Sequence, residues 1–209
     1  MAEENWQMEN REKISWGIWR QEGFGRALLI GGLLSYVPVI NLLVWGYFAD
    51  WAGRLQRREG PQLPEWRDGR RIVQELVRIL PLFLLWVLAP FLLGGLLTFL
   101  LIGLFDLLQL DFFAYSLGLA PLAVVAAFVP PAFVVALLRL NRSGQLRDAL
   151  MPAEIVREVL SKATEVLFPL IQFYGILALG WPLFGFAFFL GALPLIAQMV
   201  LVYGNADAA

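Results

Sequence analysis

The chain has 209 residues, 59% of them hydrophobic, with eight Trp and a mean hydropathy of +0.68; soluble domains hold about 45–50% apolar residues, so the composition is that of a polytopic membrane protein. Cys and His are both absent, which removes thiol nucleophiles, disulfides, imidazole bases and the common zinc sites together. Sixteen Lys and Arg against 17 Asp and Glu leave a net charge of −1, with no basic field to hold nucleic acid.

Residues 1–25 mix Glu3, Glu4, Glu9 and Glu12 with Arg11, Lys13 and Arg20. No apolar core precedes a small-residue cleavage site, so no signal peptide is expected. Trp6, Trp16, Trp19 and Phe24 suit the headgroup level, and Ile14, Ile18 and Trp19 cluster on a helical wheel while Arg11 and Glu22 intrude. The segment is expected to be interfacial, ahead of a single integral membrane domain over 26–206.

The first uncharged run, 27–49, carries Pro38 and Asn41 near its middle. It is either one spanning helix kinked at Pro38 or two half-helices of about 11 residues, each about 16 Å long, that enter the membrane and return. Four basic residues precede this run, seven lie between it and Ile79, none in 106–111, five in 139–165 and none after Tyr203. The positive-inside rule therefore places 49–78 and 139–165 in the cytoplasm and 106–111 outside. A returning segment would put every basic residue inside; the spanning form is the commoner design and is the expectation carried forward.

Gly60, Pro61 and Pro64 make the next loop a punctuated turn, after which Ile72, Val73, Leu76, Val77, Ile79 and Leu80 share one arc opposite Arg70, Arg71, Gln74, Glu75 and Arg78. This pattern predicts a helix along the inner membrane surface that Pro81 redirects into the bilayer. Arg70, Arg71 and Arg78 are its candidate lipid-headgroup contacts.

Two uncharged runs follow, 79–105 and 112–138, each longer than the roughly 20 residues that cross a hydrocarbon core about 30 Å thick. Only six residues join them, which permits an antiparallel hairpin and nothing else. A second amphipathic stripe, Ile155, Val156, Val159, Leu160, Ala163, Val166 and Leu167, again runs into a proline, Pro169. Arg54 and Arg57 before Gly60 are echoed by Arg139 and Arg142 before Gly144, and Ile72 to Glu75 by Ile155 to Glu158. The two halves thus read as a weak parallel repeat, which shared membrane patterning explains about as well.

Residues 166–206 hold no charge and would reach about 60 Å as one helix, so they must fold back. Gly180, Trp181 and Pro182 mark the turn between apolar segments 166–181 and 184–203. Reflection about Gly185 puts Gln172 and Gln198 at the same depth, where two amides can pair. Asn41, Gln172 and Gln198 are the candidate intramembrane polar contacts. Asp50, Asp106, Asp111 and Glu165 stand at segment ends and are expected to be solvated there.

The run from Ile30 to Asn41, then Gly46 and Tyr47, the basic stretch to Gly60, Leu63 to Trp66 with Asp68, and Tyr203 with Gly204 together resemble the prokaryotic membrane-protein family catalogued as domain of unknown function 4013. The resemblance covers about Trp16 to Gly204 and implies a bacterial or archaeal cytoplasmic membrane protein of no assigned activity. The expectation is an all-α polytopic integral membrane helical bundle of four or five crossings with two amphipathic cytoplasmic surface helices. No catalytic activity, cofactor or metal is expected. Membrane lipids are the expected partner, with other membrane proteins or a second copy left open, and an accessory, scaffold or lipid-interacting role is set against a small transporter or channel subunit.

Overall fold

The computed structural model describes residues 17–60 and 62–203, and among these every regular element is helical. A short 3-10 turn, Ile18–Arg20, leads to α1 (Phe24–Leu34) and α2 (Leu42–Gln56). Next come α3 (Gly69–Phe83), a π turn (Leu84–Leu88) and α4 (Ala89–Leu107), then α5 (Asp111–Ser116) and α6 (Ala120–Ser143). The chain finishes with α7 (Leu146–Ala149), α8 (Pro152–Ser161), α9 (Ala163–Leu179), a 3-10 turn (Trp181–Leu183) and α10 (Phe184–Tyr203).

Among the described residues, three stretches are long and apolar enough to cross a membrane: Gly69–Leu107, Asp111–Ser143 and Trp181–Tyr203. The bent pair Pro152–Ser161 and Ala163–Leu179 makes a fourth if counted as one span. The run 27–49 is not the single helix expected for it. It breaks at 35–41, where Val39 adopts φ 71°, a conformation a β-branched residue takes only under strain. The Ile40 amide donates to the Pro38 carbonyl to close this tight bend. Of the interfacial segment 1–25, the residues before Gly17, including Ile14 and two of its Trp, lie outside the described residues; Trp19 meets Phe24 edge to face at 5.4 Å.

Both arms of the resulting hairpin pack on α10. Gly31 and Gly32 lie flat under the rings of Phe189 and Phe186, so that a Cβ on Gly31 would fall 2.1 Å from the Phe189 ring. Small residues there permit the close crossing. Gly191 lies similarly close to Phe173 on α9, so these small residues serve contacts within the chain.

The predicted hairpin over 79–138 is present and extends past its open end, to Arg78 and Leu140. Arg78 donates to the Leu140 carbonyl, Gly94 faces Val125 and Gly118 faces Ile102, which fixes an antiparallel pair along most of its length. Pro81 does not redirect the chain. Gly69–Leu107 runs as one helix of 39 residues, about 58 Å at helical rise and well beyond the bilayer core. Its π turn sits where Pro90 offers no N–H to the Trp86 carbonyl and its ring crowds that group, so a wider turn accommodates both. The turn aims the buried Trp86 at the end of α7, where its Nε1 donates to the Ala149 carbonyl at 3.0 Å.

The second surface helix is distinct from its span. α8 and α9 meet at 88°, but the bend falls at Lys162 and not at Pro169, which lies inside α9. Arg139 reaches from α6 to Glu154 at 2.5 Å and Glu158 at 2.7 Å and holds α8 across the bundle. Of the two predicted stripes, Ile72, Ile79, Ile155, Val159 and Val166 are buried while Val73, Val77, Leu80, Leu160 and Leu167 are exposed. Each stripe is wider than the groove it enters, leaving an apolar edge outside the protein. The two halves of the proposed repeat are therefore built differently: a broken hairpin and a continuous helix in the first, an unbroken α6 and a right-angle bend in the second.

Candidate functional site

The polar interior of the molecule is assembled on α2. Residues 47, 50, 51 and 54 recur at helical spacing, and Tyr47, Asp50 and Trp51 are buried together with Val44, Phe48 and Leu55. Asp50 is 2% exposed, contrary to the solvated segment end expected for it. Arg54, one turn on, places Nε 3.1 Å from Asp50 Oδ2, and Arg71 from α3 places Nε 2.7 Å from Oδ1. A carboxylate removed from water persists when charged donors replace its hydration. Here those donors also tie α2 to α3, whose backbones approach closely at Gly46 beside the Ile72 carbonyl.

Above this triad Tyr47 stacks on Trp66 from the 62–68 loop, with ring centroids 4.4 Å apart and planes 12° from parallel. Phe189 of α10 closes the stack at 5.6 Å from Tyr47. Trp45 extends the aromatic layer to Phe83, Phe133 and Phe188. Tyr47 Oη and Trp66 Nε1 are both buried without a hydrogen-bond partner among the described residues, an arrangement that costs free energy unless something else satisfies them. At the start of the loop, the hydrogen bond from Arg57 Nε to Glu59 Oε1 holds the Glu59 carboxyl below its ordinary value.

Trp66 also lines an open cleft of about 550 Å³ between the 21–27 turn and the 62–67 loop. Gln21 Oε1 accepts the Leu63 amide at 3.1 Å and joins its two walls. Glu22, Arg26, Glu65 and Arg67 line it. These four are exposed, and no ion pair engages them among the described residues.

The polar residues singled out in the sequence fall into two groups. Gln198 Nε2 donates to Gln172 Oε1 at 3.0 Å across the α9–α10 turn, so these two amides meet. Asn41 lies at the hairpin break, reaching the Ser35 carbonyl at 3.4 Å with its Oδ1 buried and unpaired. Of the three arginines, Arg71 is drawn to Asp50 and Arg78 to Glu75 and the Leu140 carbonyl. Arg70 is exposed and stays available to a headgroup. Sequence reasoning missed Asp50, Tyr47 and Trp66 as a unit; the available signal was the four-residue spacing of Asp50 and Arg54 inside an otherwise apolar helix. Among the described residues no group of His, Cys, Asp and Glu is placed to hold a metal ion.

Residues 30–196 match the family described as "Protein of unknown function (DUF4013)". No curated protein and no solved structure matches the chain.

Proposed function

We propose that this chain, which belongs to the DUF4013 family, is a non-catalytic protein of the prokaryotic cytoplasmic membrane that acts as an accessory, scaffold or lipid-interacting component. The observation that carries this is the contrast between surface and interior. Leu92, Leu93, Phe99, Leu100, Phe112 and Phe168 are exposed, as a lipid-facing belt requires, while the buried Asp50 accepts a hydrogen bond from Arg54 on Oδ2 and forms an ion pair with Arg71 through Oδ1. A carboxylate so placed is an internal tie between α2 and α3.

In this account the bundle crosses four times, through Gly69–Leu107, Asp111–Ser143, α9 and α10, and α1–α2 enters from the inner face and returns. The hydrogen bond from the Leu63 amide to Gln21 supports the return, because it joins the two ends of the hairpin on one side. The buried, unpaired Asn41 Oδ1 at the hairpin break favours a second reading, a small transporter or channel subunit. Reconstitution into proteoliposomes separates the two: the first expects no solute flux and co-purified native lipid, whereas flux abolished by Asn41→Leu would establish the second.

A further inference from the structure

We infer that the cleft floored by Trp66 binds the headgroup of a zwitterionic phospholipid, one bearing a phosphate and a primary ammonium. This rests on the lipid-interacting reading above and names the lipid class and the place. The cleft holds two cations, Arg26 and Arg67, and two anions, Glu22 and Glu65, around one indole. Side chains of opposite sign with no ion partners among the described residues match a ligand that carries both signs, the guanidinium groups taking the phosphate and the carboxylates the ammonium. A purely anionic headgroup would satisfy Arg26 and Arg67 and be repelled by Glu22 and Glu65. Trp66 adds an indole surface to the lining of the cleft, against which the methylene groups beside the ammonium can pack.

The position of the cleft argues for a lipid over a soluble phosphate compound. Arg26, Leu29 and Leu33 lie at i, i+3 and i+7 on α1, and all three are exposed. The charged cleft therefore opens onto an apolar strip on the outside of the bundle, along which acyl chains can run once the headgroup is seated. A volume of about 550 Å³ lies in the range of small-ligand sites, about 300–1,000 Å³.

The test uses the full chain purified in a non-ionic detergent, with binding of dihexanoyl-phosphatidylethanolamine, dihexanoyl-phosphatidylglycerol and soluble phosphoethanolamine followed by native mass spectrometry. The wild type should hold the ethanolamine lipid about tenfold more tightly than either of the others. Arg26→Ala with Arg67→Ala should remove that advantage, while Glu22→Gln with Glu65→Gln should shift the preference to the glycerol lipid. Trp66→Phe keeps a ring stacked on Tyr47 and should weaken the ethanolamine lipid by a few-fold. Equal affinity for the two lipids in the wild type, or indifference to both double substitutions, overturns the site. Equally tight binding of phosphoethanolamine overturns the assignment to a lipid. A folded wild type that retains no phospholipid of any kind contradicts the lipid-interacting reading itself, whereas lipid retained without regard to these residues contradicts only the cleft.

Discussion

α3 and α8 carry the same sequence grammar, an amphipathic stripe that runs into a proline, yet one continues as a single helix into its apolar segment and the other turns through 88°. Pro81 and Pro169 both lie inside helices, so the imino ring does not decide the matter. The anchors do. α3 is bound along its length to α2, by Ile72 and Ile79 in the core and by Arg71 on Asp50. α8 is bound sideways to α6 by Arg139, and Lys162 at the corner donates from Nζ to the Val202 carbonyl at 2.6 Å. A proline leaves one carbonyl unpaired, and whether the helix bends there depends on what the surrounding structure offers it. Pro130 in α6 illustrates this, because the Ala126 carbonyl it leaves free is taken by the Tyr174 hydroxyl of α9.

The contrast breaks most severely at Asp50. Asp50→Ala should lower stability by about 2–3 kcal/mol in detergent unfolding, at the lower end for a broken buried pair because Arg54 and Arg71 are themselves part-exposed. It should also loosen α3 from α2 in hydrogen exchange while leaving α8 protected. Tyr174→Phe should cost about 1–2 kcal/mol by stranding the Ala126 carbonyl. Pro130→Ala added to it should recover much of that loss, since residue 130 then supplies its own backbone N–H; an unrecovered loss would mean that the hydroxyl acts by packing alone. Arg139→Met removes two ion pairs of which Glu154 is largely exposed, so about 0.5–1 kcal/mol is expected, with faster amide exchange confined to α8. The smallest effect belongs to Pro81→Ala. The direction of Gly69–Leu107, followed by spin-label distances between its ends, should not change.

What was legible in the sequence was what local chemistry dictates. Gly180 and Pro182 end one helix and start the next without help from elsewhere, and reflection about Gly185, just beyond that turn, was enough to match Gln172 with Gln198. The two stripes were visible because helical periodicity is a local property, but their widths did not say which edge would be buried. The break at 35–41 was visible as an alternative, in Pro38 and Asn41, and undecided because the Gly31–Phe189 crossing that stabilises a short α1 joins residues far apart in the chain. Asp50 was misjudged for the same reason, its second arginine arriving from another helix.

The membrane path of the first segment is the central claim, and single cysteines in this naturally cysteine-free chain test it directly. Placed at Glu22, Gln62 or Gln109 and exposed to a membrane-impermeant thiol reagent, only the cysteine at Gln109 should label in intact cells, with Glu22 and Gln62 both requiring permeabilisation. Labelling at Glu22 in intact cells while Gln62 stays protected would show that α1 and α2 cross the bilayer as one span, and would contradict the return.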